Sequence, residues 1–87
     1  MASEKLKKKI HDVLKTGYFS DSTDFVDVSD GFDELVHIVV VSRKFDGRRM
    51  KEKEDLIWSE LLKNLSKEEW GQVSLSIGAS PDEVKAL

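Results

Sequence analysis

The stretch from Val39 to Gly47, VVVSRKFDG, joins a run of β-branched residues to a turn. It ends the strongest strand pattern in the chain, residues 35–42, LVHIVVVS, because Val and Ile suit a pleated surface. A nearly continuous apolar run is typical of a strand that is central in its sheet or covered on both faces. Phe45-Asp46-Gly47 carries the turn signal that ends this strand.

Two helices are predicted after that turn. The apolar spacing predicts a helix from about Arg49 to Leu65, and Ser66 with Glu69 forms a capping box that begins a shorter one. Gly71 is a suitable residue to end it. The inner stripe of the long helix is expected to consist of Met50, Ile57, Leu61 and Leu65. Three further residues widen this stripe: Leu56, Trp58 and Leu62.

The residues before the strand predict a helix and a hairpin. Ser3 can cap a helix that Gly17 ends, with one apolar face. Residues 25–29 alternate as a short strand, and Asp30-Gly31 is a turn signal. We therefore expect the two strands to pair as an antiparallel hairpin. The apolar face of the first helix comprises Leu6, Ile10, Val13 and Leu14.

The end of the chain predicts one more strand and one more helix. Residues 73–77 alternate, with Val73, Leu75 and Ile77 on one side and serines on the other. Ser80-Pro81 then begins a helix. A right-handed crossover makes the last strand parallel to the second. The predicted fold class is α+β, with helices packed on a three-stranded mixed sheet.

Length and composition fit one domain, residues 1–87. Cysteine is absent, which excludes disulfides and thiol catalysis, and no apolar run reaches the ~20 residues of a membrane span. We expect a monomer when the protein is alone, located in the cytoplasm or in an organelle of a eukaryote.

The net charge of −3 conceals a lysine cluster at residues 5–9 and an acidic segment at residues 21–34. We expect the acidic segment to be a solvated edge that discourages strand pairing, because its spacing does not fit a calcium loop.

Three segments resemble the BolA-like family. VVVSRKFDG is similar to the family's VVVS-x-x-F-x-G signature, and residues 73–77, VSLSI, stand where the family has H-A-L-S-I. Residues 80–83, SPDE, resemble its closing T-P-E-E. The resemblance implies a class II KH-like topology, αββα(α)βα. It also implies a role in iron–sulfur trafficking with a monothiol glutaredoxin, or a regulatory role with nucleic acid.

The chain departs from this family at the positions that would bind a cluster. Val73 replaces the family's ligand histidine, and an isopropyl group has no lone pair to offer iron. Lys53-Glu54-Asp55 replaces R-H-R, and residues 29–34 contain neither Cys nor His. We therefore expect no cofactor on the chain alone. Direct ligation of an iron–sulfur cluster shared with a partner is not expected in its usual form.

Catalytic and metal motifs are missing from the sequence. No nucleophile with a base, no carboxylate pair and no phosphate loop is recognisable, so we expect a protein that is not an enzyme. The two histidines, His11 and His37, lie in different predicted elements. His37 is a weak candidate for a substitute ligand at a joint interface.

A basic run from the end of the second strand into the long helix is the candidate partner-binding site. The first hypothesis is that it recognises a glutaredoxin, together with the third strand. The second is that it binds nucleic-acid phosphates, although only Gly47 stands where KH domains have a G-x-x-G loop. The candidate recognition residues are Arg43, Lys44, Arg48, Arg49 and Lys53.

Overall fold

The order of helices and strands is the one that the sequence predicts. The computed structural model describes residues 3–86 and confirms the α+β class. Short 3₁₀ turns at Phe32–Glu34 and Arg43–Phe45 flank the second strand. The elements are α1 (Glu4–Thr16), β1 (Phe25–Asp30), β2 (Val36–Val41), α2 (Met50–Asn64), α3 (Lys67–Trp70), β3 (Val73–Ala79) and α4 (Pro81–Lys85).

The three strands form one mixed sheet in the order β1-β2-β3. β1 is antiparallel to β2, from the pair Phe25 and Val41 to the pair Asp30 and Val36. β3 is parallel to β2, because α2 and α3 carry the chain back to the end of the sheet where β2 begins. The predicted hairpin, the parallel third strand and the central position of β2 are therefore confirmed.

Serine caps explain where three helices begin. The Oγ of Ser3 accepts a hydrogen bond from the backbone N–H of Leu6 at 3.4 Å. Ser66 and Ser80 do the same for α3 and α4, and in both cases a glutamate three residues later accepts from the serine backbone N–H. These capping boxes satisfy N–H groups that the helices themselves leave unpaired.

The core lies between one face of the sheet and the helices α1 and α2. Alternate β2 residues, Val36, Ile38 and Val40, are completely buried, as are Ile10 of α1 and Ile57 of α2. The other β2 side chains, His37, Val39 and Val41, are only half-buried. β2 is thus central in the sheet, but the helices cover a single face of it. The remaining core residues are Leu6, Leu14, Phe19, Val26, Phe45, Leu61 and Leu65.

The inner stripe of α2 differs from the prediction at two positions. Met50 is 79% exposed and Leu62 is 56% exposed, so the prediction that they join the core is wrong. The aliphatic stem of Lys53 lies near the sheet instead, with its Cβ 3.0 Å from the point where Gly78 would carry a side chain. Because Gly78 has no Cβ, Lys53 can fill the place that the apolar spacing gave to Met50.

The strand β3 presents its larger apolar side chains away from the core. Leu75 and Ile77 are 43% and 44% exposed, whereas Ser76 is buried and accepts a hydrogen bond from Trp58 Nε1 at 3.1 Å. The sequence predicts Val73 on the same side of β3 as Leu75 and Ile77, but Val73 packs against the core instead. A register irregularity between Val36 and His37 separates Val73 from the rest of the alternation.

Candidate partner surface

The connection from β2 to α2 exposes three arginines at one corner. Phe45, in the middle of this connection, is completely buried. The backbone C=O of Phe45 accepts a hydrogen bond from the Arg48 N–H at 3.1 Å. Gly47 turns the chain with a φ of 71°, which favours glycine. We call Arg43, Arg48 and Arg49 the arginine corner, and all three are exposed.

The backbone of the arginine corner is fixed while its charged groups face solvent. Arg48 Nε donates to the backbone C=O of Lys44 at 2.9 Å, and the Arg49 N–H donates to Glu52 at 2.8 Å. Within residues 3–86, the side-chain ion pairs join carboxylates to lysines or to His11, and none includes Arg43 or Arg49. Since exposed Met50 follows directly, the corner offers a partner both cationic and apolar groups.

Lys44 lies in the same segment but points into an internal ion-pair cluster. Its Nζ is 2.7 Å from Asp24 Oδ2 and 3.3 Å from Asp21 Oδ2. It also lies 5.2 Å from the centroid of the Tyr18 ring, within cation–π range. Its hydrogen bond to Asp24 is the main reason that the pKa of Lys44 is raised. Lys44 therefore helps to hold the start of the hairpin against the end of β2.

Asp24 is the buried member of this cluster, with a side chain only 2% exposed. Burial disfavours its charged form, but hydrogen bonds from Lys44 and from Ser42 Oγ, the latter at 2.7 Å, oppose that effect. The net result is a pKa below the usual value for this carboxyl. For Asp24, the predicted solvated acidic edge is therefore wrong, because Lys44 and Ser42 neutralise and enclose it.

Lys53 is also engaged inside the chain. Its side chain is 8% exposed, and its Nζ lies 2.6 Å and 2.7 Å from the two carboxylate oxygens of Glu83. The hydrogen bond from Lys53, aided by the Ser80 N–H, lowers the pKa of Glu83 to about 2. This ion pair attaches α4 to α2. Of the five predicted recognition residues, three lie together at the corner, and Lys44 and Lys53 lie in ion pairs behind it.

The face of the sheet opposite the helices is a second exposed surface. Pairing places Phe25 beside Val41, and Val39 beside Ile77, with Leu75 next to His37. Phe25 is 55% exposed. We call these six residues the outer sheet face: Phe25, His37, Val39, Val41, Leu75 and Ile77. Neighbouring apolar side chains at an exposed surface favour contact with another molecule.

His37 lies at the end of the outer sheet face next to the hairpin turn. The imidazole comes within 2.5 Å of the point where a Cβ on Gly31 would stand, so a side chain there would collide with it. No group of three or more potential metal ligands occurs among residues 3–86. The role of His37 as a substitute ligand at a joint interface stays a prediction.

Val73 occupies an apolar setting. It pairs with Val36 at the start of β3 and packs against the core. The neighbouring hairpin, residues 29–34, supplies no Cys or His. These residues do not fit an iron–sulfur cluster, whose iron atoms need thiolate or imidazole ligands.

Sequence reasoning missed the Asp24, Ser42 and Lys44 cluster and the outward direction of Leu75. Small residues at Ser76 and Gly78 were the available signal, since a helix can approach a strand closely only over small side chains. No local pattern predicts the cluster of Asp24, Ser42 and Lys44, because Asp24 and Ser42 are 18 positions apart in the sequence.

Comparison with known proteins gives one solved structure and no sequence match. No family model and no curated protein matches the sequence. The crystal structure of a Bol-like protein from Babesia bovis is similar, with a TM-score of 0.65 and 22% identity. The match covers 99% of this chain and 93% of that chain. The chain therefore has the fold of a BolA-like protein. No helix within residues 3–86 is long and apolar enough to cross a membrane.

Proposed function

We propose that this chain, which has the BolA-like fold, is a non-enzymatic module that binds a monothiol glutaredoxin or a related partner. The observation that carries the proposal is the arginine corner. Three exposed arginines stand together there, whereas the adjacent Lys44 and Lys53 are neutralised by Asp24 and Glu83. The fold likeness supports the kind of protein, and the corner supports where a partner binds.

The chemistry of the corner favours an acidic partner surface. Guanidinium groups bind carboxylates through paired hydrogen bonds, and a fixed backbone reduces the entropy lost on binding. The ion pair of Lys44 with Asp24 fixes the segment that carries the arginines, and the ion pair of Lys53 with Glu83 attaches α4 to α2. The segment of residues 71–77, which contains most of β3, forms the other side of the proposed contact.

The proposed complex does not use position 73 as a cluster ligand. Val73 is apolar and packs against the core, so this position lacks the imidazole that would complete a shared iron–sulfur site of the usual form. Reconstitution with a glutaredoxin under anaerobic conditions is expected to give a complex without visible absorption beyond that of the glutaredoxin alone. A stable chromophore that requires this chain would contradict this part of the proposal.

Titration of the isotope-labelled chain with a monothiol glutaredoxin tests the proposal. We expect amide shifts within residues 43–53 and 71–77. The double variant Arg48→Ala with Arg49→Ala is expected to weaken binding about tenfold or more, as loss of charge-assisted contacts does. Lys5→Ala, an exposed charge on α1, is the matched control and should bind like the parent. No shifts at high micromolar glutaredoxin would refute the proposal.

Nucleic-acid binding is the second candidate. It is favoured by the position of Arg48 and Arg49 at the beginning of the 15-residue helix α2, where backbone N–H groups also attract phosphate. Binding to single-stranded oligonucleotides should then fall steeply with salt. The arginine double variant should weaken binding to all sequences alike. Affinity that is independent of salt and of both arginines would remove this candidate.

A further inference from the structure

The edge strand β3 lacks the charges and prolines that usually prevent strand pairing, and its one register irregularity lies before Leu75, at the beginning of the strand. Its seven residues, VSLSIGA, include no charge and no proline, and β3 pairs only with β2 among the described residues. The opposite edge strand, β1, carries Asp27 and Asp30. Natural sheets protect open edges with charges, prolines or covering segments, so a long uncharged edge favours addition of another strand.

We propose that β3 pairs in antiparallel orientation with β3 of a second copy of this chain. The two three-stranded sheets would then form one six-stranded sheet across a twofold axis. This self-pairing does not rest on the proposed glutaredoxin partner, although both would use β3 and would compete for it. It differs from the monomer expected from the sequence.

The backbone of β3 is compatible with a symmetric register centred on Ser76. Ser42 N–H donates to the C=O of Ala79 at 3.0 Å, so the peptide groups of alternate residues, Ile77 and Ala79, face β2. The peptide groups of Ser76 and Gly78 therefore face the open edge. In the symmetric register Ser76 lies opposite its own copy, so its outward N–H and C=O groups meet those of the second chain. Gly78 lies opposite Ser74, which stands at the register irregularity.

The same register forms two apolar pairs on the outer sheet face. Leu75 of each chain lies opposite Ile77 of the second copy, at positions without mutual hydrogen bonds, where cross-strand side chains come closest. Both side chains are more than two-fifths exposed in the single chain. Self-pairing would therefore remove from water apolar area that the fold leaves open.

Charge also favours the antiparallel orientation. The finishing end of β3 adjoins the arginine corner, since Ser42 is hydrogen-bonded to Ala79. The three exposed arginines there outnumber the exposed Asp46 and Asp82. The starting end follows α3 and lies at the end of the sheet where the hairpin turn stands, since Val36 N–H donates to the C=O of Gln72 at 2.8 Å. The exposed carboxylates of Asp33 and Glu68 outnumber Lys67 there. An antiparallel pair brings the basic end of one chain to the acidic end of the other, twice. A twofold interface is self-complementary in this way.

The small contact predicts a weak dimer. A seven-residue strand is about 23 Å long, and one strand seam buries less than the ~800 Å² per partner of standard interfaces. We therefore expect the average mass to rise from monomer toward dimer between ~10 µM and ~1 mM chain.

Sedimentation equilibrium over this concentration range tests the proposal with a register-specific rescue. Ile77→Lys and Leu75→Glu should each shift dissociation to at least about tenfold higher concentration, because each introduces charge into the apolar pairs. An equal mixture of the two variants should restore dimer, since the introduced glutamate faces the introduced lysine across the axis. Circular dichroism should show that both variants stay folded, because both positions are exposed.

Phe25→Lys is the control. Phe25 lies on the same outer sheet face but on β1, at the far edge, so this variant should dimerise like the parent. Loss of the dimer in this variant would show that sheet faces stack, and would overturn edge pairing. A parent that remains monomeric at 1 mM, or a mixture that stays monomeric, would overturn the proposal as well.

Discussion

Asp24 and Asp21 provide a matched pair for testing how burial sets the strength of an ion pair. Both carboxylates contact Lys44 Nζ, at 2.7 Å and 3.3 Å, but the Asp24 side chain is 2% exposed and the Asp21 side chain 70%. We predict that Asp24→Asn destabilises the fold strongly and that Asp21→Asn changes the free energy of unfolding very little.

The magnitude for Asp24 follows from its surroundings. Breaking a fully buried ion pair costs about 3–5 kcal/mol, but Lys44 is 24% exposed and can recover part of its hydration. Asparagine can also keep one hydrogen bond with Ser42. We therefore expect a loss of about 2–3 kcal/mol, near 10–20 °C in Tm for a domain of this size. For Asp21→Asn, an exposed pair, we expect at most about 0.5 kcal/mol.

Urea unfolding followed by far-ultraviolet circular dichroism measures both values, with equal m-values as the check on two-state behaviour. Because the pKa of Asp24 is lower in the folded state than in the unfolded chain, its contribution is complete above the unfolded pKa. It is lost as the pH falls through the folded pKa. The difference between the parent and Asp24→Asn should therefore shrink in acid. Equal losses from the two variants at pH 7 would refute the assignment of this stability to burial.

Three further predictions concern close contacts and one ion pair. Gly78→Ala should lower stability by about 1–3 kcal/mol in urea unfolding, because its Cβ would lie 3.0 Å from that of Lys53; an unchanged midpoint would contradict this packing. Gly31→Ala should shift the imidazole NMR signals of His37, whose ring must move; unchanged signals would contradict the contact. Glu83→Gln should flatten the fall in Tm as pH drops from about 4.5 toward 2, since the folded pKa of Glu83 is about 2; parallel Tm curves would show that its pair with Lys53 adds no stability.

The candidate site was predictable in composition but not in geometry. The sequence identified the basic run, and the structure separates it into an exposed arginine corner and two lysines in ion pairs. Lys44 and Arg43 are neighbours in the chain, yet the 3₁₀ turn directs one toward Asp24 and leaves the other exposed. Direction of this kind depends on residues 20 positions away, which local patterns do not encode.

The sequence by itself determined the element order, the helix starts and the pairing of the strands. Those features follow from short-range physics: serine caps, β-branched runs, turn signals and the handedness of a crossover. Only the tertiary structure decided which side of each element is covered. Two helices suffice for one face of a three-stranded sheet, so Leu75 and Ile77 remain exposed although their alternation is as regular as that of a core strand. Periodicity states which residues share a face, whereas packing against α1 and α2 decides which face is inside.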